Sequence, residues 1–119
     1  MVTGGNATVF ICNMDAALAF YTQVLGMKIT SHFGEHWATV EAGGFVIGLH
    51  PIDPKQPPPG TNGAIMVGLN VEDLDAARAR LIQGGALEIG EVVNGSGGGF
   101  VHFHDPDGNA LYLWKMPQG

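Results

Sequence analysis

Apolar and polar positions along the chain follow two periods, and they switch in a fixed order. Residues 7–12 (ATVFIC) are β-branched or apolar, which predicts a strand. Asn13 follows as a helix cap, and Met14, Leu18, Tyr21 and Leu25 recur at the spacing of one helical stripe, so a helix is predicted over about residues 14–25. Gly26 stands where a left-handed helix stop belongs. Residues 27–33 alternate as a strand, Gly34-Glu35 turns the chain, and a hairpin runs from 37–41 through Ala42-Gly43-Gly44 to 45–50. The order then repeats. Residues 64–71 read as a strand and Asp73 as a cap, Leu74, Ala77 and Leu81 mark the buried face of a second helix, and Gly84-Gly85 ends it. A short strand is expected over 88–93 and a glycine loop over 94–99. The sharpest signal is the last hairpin, 101–114 (VHFHDPDGNALYLW), whose turn Asp105-Pro106-Asp107-Gly108-Asn109 joins two strand-like flanks. Side chains alternate across a strand, so Leu111 and Leu113 point one way and Ala110, Tyr112 and Trp114 the other.

The recurrence is a duplication. At an offset of 60 residues, from position 11 to position 71, Ile11-Cys12-Asn13-Met14-Asp15-Ala16-Ala17 overlays Val71-Glu72-Asp73-Leu74-Asp75-Ala76-Ala77. Between the halves lies PIDPKQPPPGTNG (51–63), with five of the seven prolines, which is unfit for a helix or a central strand. The expected organisation is a single domain over 1–119: module 1 at about 6–50, a Pro-rich linker at 51–63, and module 2 at about 64–115.

Composition narrows the function. A chain of 119 residues forms one core, and a net charge of -6 with five Lys and Arg disfavours nucleic acid and anionic membrane as partners. The single cysteine, Cys12, makes no internal disulfide, and neither a leader nor a long apolar run is evident, so a cytoplasmic location is expected. Low charge, 13%, together with 19 glycines suggests a surface partly covered by a second subunit.

Two β-α-β-β-β units, Phe20-Tyr21 in the first helix followed by Leu25-Gly26, and Asp105-Pro106-Asp107-Gly108-Asn109 before the last strand together resemble the vicinal oxygen chelate superfamily. This is the glyoxalase, bleomycin resistance protein and extradiol dioxygenase group, and the resemblance covers essentially the whole chain. It implies an α+β fold in which two β-α-β-β-β modules form a curled mixed sheet, a cup, with helices on the convex side. It also implies a homodimer with two cups. The family's metal positions fall on Asn6, Gly48, Met66 and Tyr112, none of which is His or Glu. Divalent metals of this group want imidazole and carboxylate donors, so neither a metal nor another cofactor is expected.

The same resemblance puts Tyr112 at the centre of the cup, with Trp114 beside it and Trp37 from the first hairpin as a facing wall. Phe10 and Met66 share the inward parity. The candidate ligand-binding set is Phe10, Trp37, His50, Met66, His102, Tyr112 and Trp114, because aromatic walls with few polar tips suit flat, partly apolar ligands. The competing assignment makes Trp37 and Trp114 core or dimer-contact residues. His50, His102 and His104 either line the cup as polar groups or form an alternative three-histidine metal site. Glu35-His36 reads as a solvated pair. Cys12 sits beside a helix N-terminus, where a thiolate would be stabilised, yet it has no companion base and reads as a structural thiol. GSGGG (95–99) lacks the Lys and the following helix of a phosphate loop and reads as a rim loop.

The function expected is a metal-independent small-molecule-binding protein that sequesters an aromatic or cytotoxic compound, as the antibiotic-resistance branch of the resemblance implies. The alternative is a lyase, isomerase or dioxygenase of the same superfamily, metal-dependent or acid-base, for which no catalytic residue is identified. A third reading is an interaction subunit with a self-filled cup.

Overall fold

Asn13 and Asp73 both sit in extended backbone, and each carboxamide or carboxylate oxygen accepts from the amide three residues on, Ala16 at 2.8 Å and Ala76 at 3.0 Å. These matched caps start the two helices of a duplicated fold. The computed structural model describes residues 6–52, 58, 66–95 and 98–115. In chain order the elements are β1 (Ala7–Ile11), α1 (Met14–Ala19) continuing into a π-helical segment (Phe20–Val24), β2 (Lys28–Phe33), β3 (Trp37–Ala42), β4 (Phe45–Pro51), β5 (Val67–Asn70), α2 (Leu74–Gln83), β6 (Val93–Gly95), β7 (Gly98–His104) and β8 (Ala110–Lys115).

Hydrogen bonding divides the strands into two four-stranded sheets, ordered β1-β4-β3-β2 and β5-β8-β7-β6. In each, the crossover pair is parallel and the others antiparallel, so both halves are β-α-β-β-β modules of one α+β fold. The helices cover one face of each sheet. Val9, Ile11, Val40, Ile47 and Leu49 of the first sheet and Val101, Phe103, Leu111 and Leu113 of the second join Leu18, Tyr21, Leu74 and Leu81 in one continuous apolar cluster. The parity read from the last hairpin holds, with Leu111 and Leu113 buried and Tyr112 and Trp114 half-buried on the opposite face. Among the described residues no helix is long and apolar enough to cross a membrane.

Four local expectations change. The first helix is not α throughout: the Thr22 hydroxyl donates to the Leu18 carbonyl at 2.6 Å and the Leu25 amide reaches back to Phe20 at 3.1 Å. The widened turn leaves Phe20 and Tyr21 both buried, at 3% and 0% exposure. Residues 88–92 form no strand and Leu87 makes a single bridge to His104, while β6 takes in Val93 and the first two residues of the expected glycine loop, whose Gly98 and Gly99 begin β7. Every residue of β6 is exposed, so no apolar alternation marks it, and its pairing with β7 rests on backbone alone. Pro51 closes β4 opposite Ile11 and so belongs to a strand end and not to the linker. The linker otherwise falls almost wholly outside the described residues, as do Ala64 and Ile65, and β5 starts at Val67.

Leu111 is 1% exposed on the helix side of β8. Leu111→Asp should lose cooperative folding, because an unpaired buried charge costs several kcal/mol out of a total stability on the order of 5–15 kcal/mol. Thermal melts followed by circular dichroism check this, and a wild-type melting temperature would assign Leu111 to the other face.

Candidate functional site

On the first sheet, the face turned away from the helices is shaped by a glycine. Parallel register sets Thr8 opposite Gly48 and Phe10 opposite His50. The Trp37 indole lies across Gly48, where any Cβ would overlap its six-membered ring. The His50 ring packs against two others, with centroids 5.6 Å from Phe10 and 6.2 Å from Trp37, inclined at 68° to each. Its Nδ1 donates to the Pro51 carbonyl at 2.6 Å.

The second sheet repeats the device. Gly68 is opposite Tyr112, and a Cβ on Gly68 would overlap the phenol. His102 pairs with Tyr112 across β7 and β8, with ring centroids 5.7 Å apart, and Phe100 meets His102 edge-on at 5.2 Å. Trp114 is half-buried, in register with Phe100 and Asn70.

Phe10, Trp37 and His50 therefore come together on one sheet, and His102 and Tyr112 on the other. Met66 precedes β5, is 45% exposed and joins neither group. Phe100 is a member that sequence reading missed; its signal was period-2 spacing with His102. His104 turns to Glu88, at 2.8 Å, while His50 belongs to the first sheet. Among the described residues no three or more His, Cys, Asp or Glu gather as metal ligands.

The metal implied by the resemblance does not fit these residues. Gly48 offers no donor and its space is filled by Trp37; Tyr112 fills the space over Gly68; Thr8 and Gly68, their register partners, supply neither imidazole nor carboxylate. A cavity of about 510 Å³ opens elsewhere, on the helix side between the modules, with Val24, Leu25, Phe45, Leu69, Ala77 and Arg80 in its walls.

The turn between β7 and β8 fixes these faces relative to the first module. Asp105, wholly buried, accepts from the Tyr21 hydroxyl at 2.9 Å, the Asp107 amide at 2.9 Å, and the Asn109 amide and side chain at 2.8 and 3.0 Å. Asn109 Nδ2 also donates to the Phe10 carbonyl at 2.8 Å, and Asp107 accepts from the Cys12 amide at 2.9 Å. Burial pushes the Asp105 carboxyl up, with hydrogen bonds from Asn109 and Tyr21 pulling the other way. Burial first, and then the Asp105 charge, pushes the Tyr21 phenol well above its ordinary value. At Cys12 the hydrogen bond to Asp107, a little burial and the two carboxylates raise the thiol, so the acidic turn outweighs the helix N-terminus.

Two substitutions test these contacts and the ring over Gly48. Tyr21→Phe leaves a buried carboxylate short of one donor, which should cost about 1–3 kcal/mol in urea unfolding. Because the folded phenol holds its proton more tightly than the unfolded one, its contribution is complete below about pH 10 and is lost as pH rises further; Tyr21→Phe should flatten that alkaline loss. Gly48→Ala should displace Trp37 at a cost of about 1–3 kcal/mol and shift tryptophan emission; unchanged emission and stability would place the indole elsewhere.

The family model described as Glyoxalase/Bleomycin resistance protein/Dioxygenase superfamily matches residues 5–113. Among solved structures, the chain is similar to TnmS3, an antibiotic binding protein from Streptomyces sp. CB03234, at 25% identity and TM-score 0.74 over 98% of each chain. It is similar to UcmS2 at 28% identity and TM-score 0.76, over 96% of this chain and 98% of that one. Lactoylglutathione lyase from Agrobacterium tumefaciens, at 17% identity and TM-score 0.72 over 97% and 94% of the two chains, shares the fold. No curated protein sequence matches.

Proposed function

The chain belongs to the Glyoxalase/Bleomycin resistance protein/Dioxygenase superfamily, and from that membership we propose that it is a metal-independent small-molecule-binding protein that sequesters an aromatic or cytotoxic compound. The observation that carries the reading is the pair of rings laid over Gly48 and Gly68, at and beside positions where the family would place metal ligands. Carbon there serves binding by area: each aromatic side chain buries about 150–250 Å², and histidine and phenol tips orient what is bound. The likeness to an antibiotic binding protein supports the same direction.

The ligand-contacting residues in this proposal are Phe10, Trp37 and His50 on one sheet and Phe100, His102, Tyr112 and Trp114 on the other. The protein acts as a homodimer. Among the described residues each four-stranded sheet ends in edge strands, and the edge strand β2 exposes Ile29 and Phe33, at 47% and 64%, which pairing with a second copy would cover.

Equilibrium binding of flat aromatic compounds should survive EDTA, and elemental analysis of protein purified without added metal should find well under one transition metal per chain. Trp114→Ala and Tyr112→Phe should weaken binding while the fold persists, with loss of the Trp114 ring costing about 0.5–1.5 kcal/mol beyond area and loss of the Tyr112 hydroxyl about 0.5–1.5 kcal/mol. A stoichiometric metal, or binding abolished by EDTA, would return the protein to the metal-dependent branch of its family.

A further inference from the structure

His50 is committed in one direction. A carbonyl oxygen only accepts, so the 2.6 Å contact with Pro51 makes Nδ1 the N–H, and the neutral imidazole carries its lone pair at Nε2. Nε2 has no protein partner among the described residues and is not buried. Nearby hydroxyls on the same face are engaged, Thr8 with Asn6 and Thr39 with Thr30 and Ser31. The open acceptor therefore belongs to an imidazole that packs against both the Phe10 and the Trp37 rings.

Resting on the binding reading above, we propose that this face selects flat aromatic ligands carrying a hydroxyl at the ring edge, with that hydroxyl donating to His50 Nε2. A bare lone pair repels carboxylate and ether oxygens and rewards a donor, so the discrimination is between a phenol and its methyl ether, not between ring systems. The Pro51 contact is what keeps the imidazole in the accepting tautomer.

Equilibrium dialysis at pH 7.5 with 2-naphthol and 2-methoxynaphthalene isolates the donor, because the two share a ring system and only one can donate. Wild-type protein should hold 2-naphthol about five- to tenfold more tightly, the effect of one hydrogen bond. His50→Phe should remove that preference, so that the two probes bind with equal affinity. Should His50→Phe not fold, the nitrogen-15 resonance of His50 Nε2 in wild-type protein should move with 2-naphthol and stay still with its ether. Equal affinity for the two probes, or a preference that persists in His50→Phe, or an unmoved resonance, overturns the proposal. Trp37→Ala separates the two failures: if it weakens both probes equally while wild type shows no preference, the aromatic face stands and the role of His50 falls. If neither probe depends on Trp37, the binding reading of this face falls with it.

Discussion

The structure depends on a carboxylate kept out of water. A buried charge costs several kcal/mol unless its lone pairs are filled, and Asp105 fills them with four hydrogen bonds from Tyr21, Asp107 and Asn109. The partners are themselves placed by this need. The π-helical segment leaves Tyr21 buried beside Phe20, and Asn109 spans from the carboxylate to the backbone of β1. One side chain thereby sets the shape of the last turn, the end of the first helix and the strand that carries Phe10.

Above that frame, the two halves have reached the same arrangement by different residues. A glycine on one strand receives a ring from another: Trp37 over Gly48 in the first module, Tyr112 over Gly68 in the second. Duplication preserved the caps and strand order while the ring moved, from the start of β3 in one half to the middle of β8 in the other. Each half then sets a histidine against its ring. The histidines differ, since His50 is held by a backbone carbonyl and His102 meets the rings of Phe100 and Tyr112.

Much of this was legible in the sequence where the controlling interactions are local. Asn13 and Asp73 announce caps because the amides they bind lie three residues away, and Leu111 and Leu113 announce their face because strand alternation is strict. The Asp105 turn was legible as a turn but not as a node, because Tyr21 stands 84 positions away and carries no mark in its neighbours. The same limit applies to Cys12, whose local context favours a thiolate while residues 93 and 95 positions later oppose it. Strand β6 was invisible for another reason: it buries nothing, so the hydropathy pattern has nothing to record.

The span of the Asp105 contacts bears on the order in which the molecule matures. During synthesis the first helix and β1 emerge long before residues 105–109, so the Tyr21 hydroxyl and the Phe10 carbonyl wait for their partners through most of the chain's elongation. Until the closing hairpin forms, the first module has its own apolar contacts, sheet pairing and helix cap but lacks the ties from Asp105 to Tyr21 and from Asn109 to the Phe10 carbonyl. The anchors of the Phe10 strand and of the first helix are thus among the last parts of the chain to be made, so they are the contacts that a C-terminally incomplete chain would lack first.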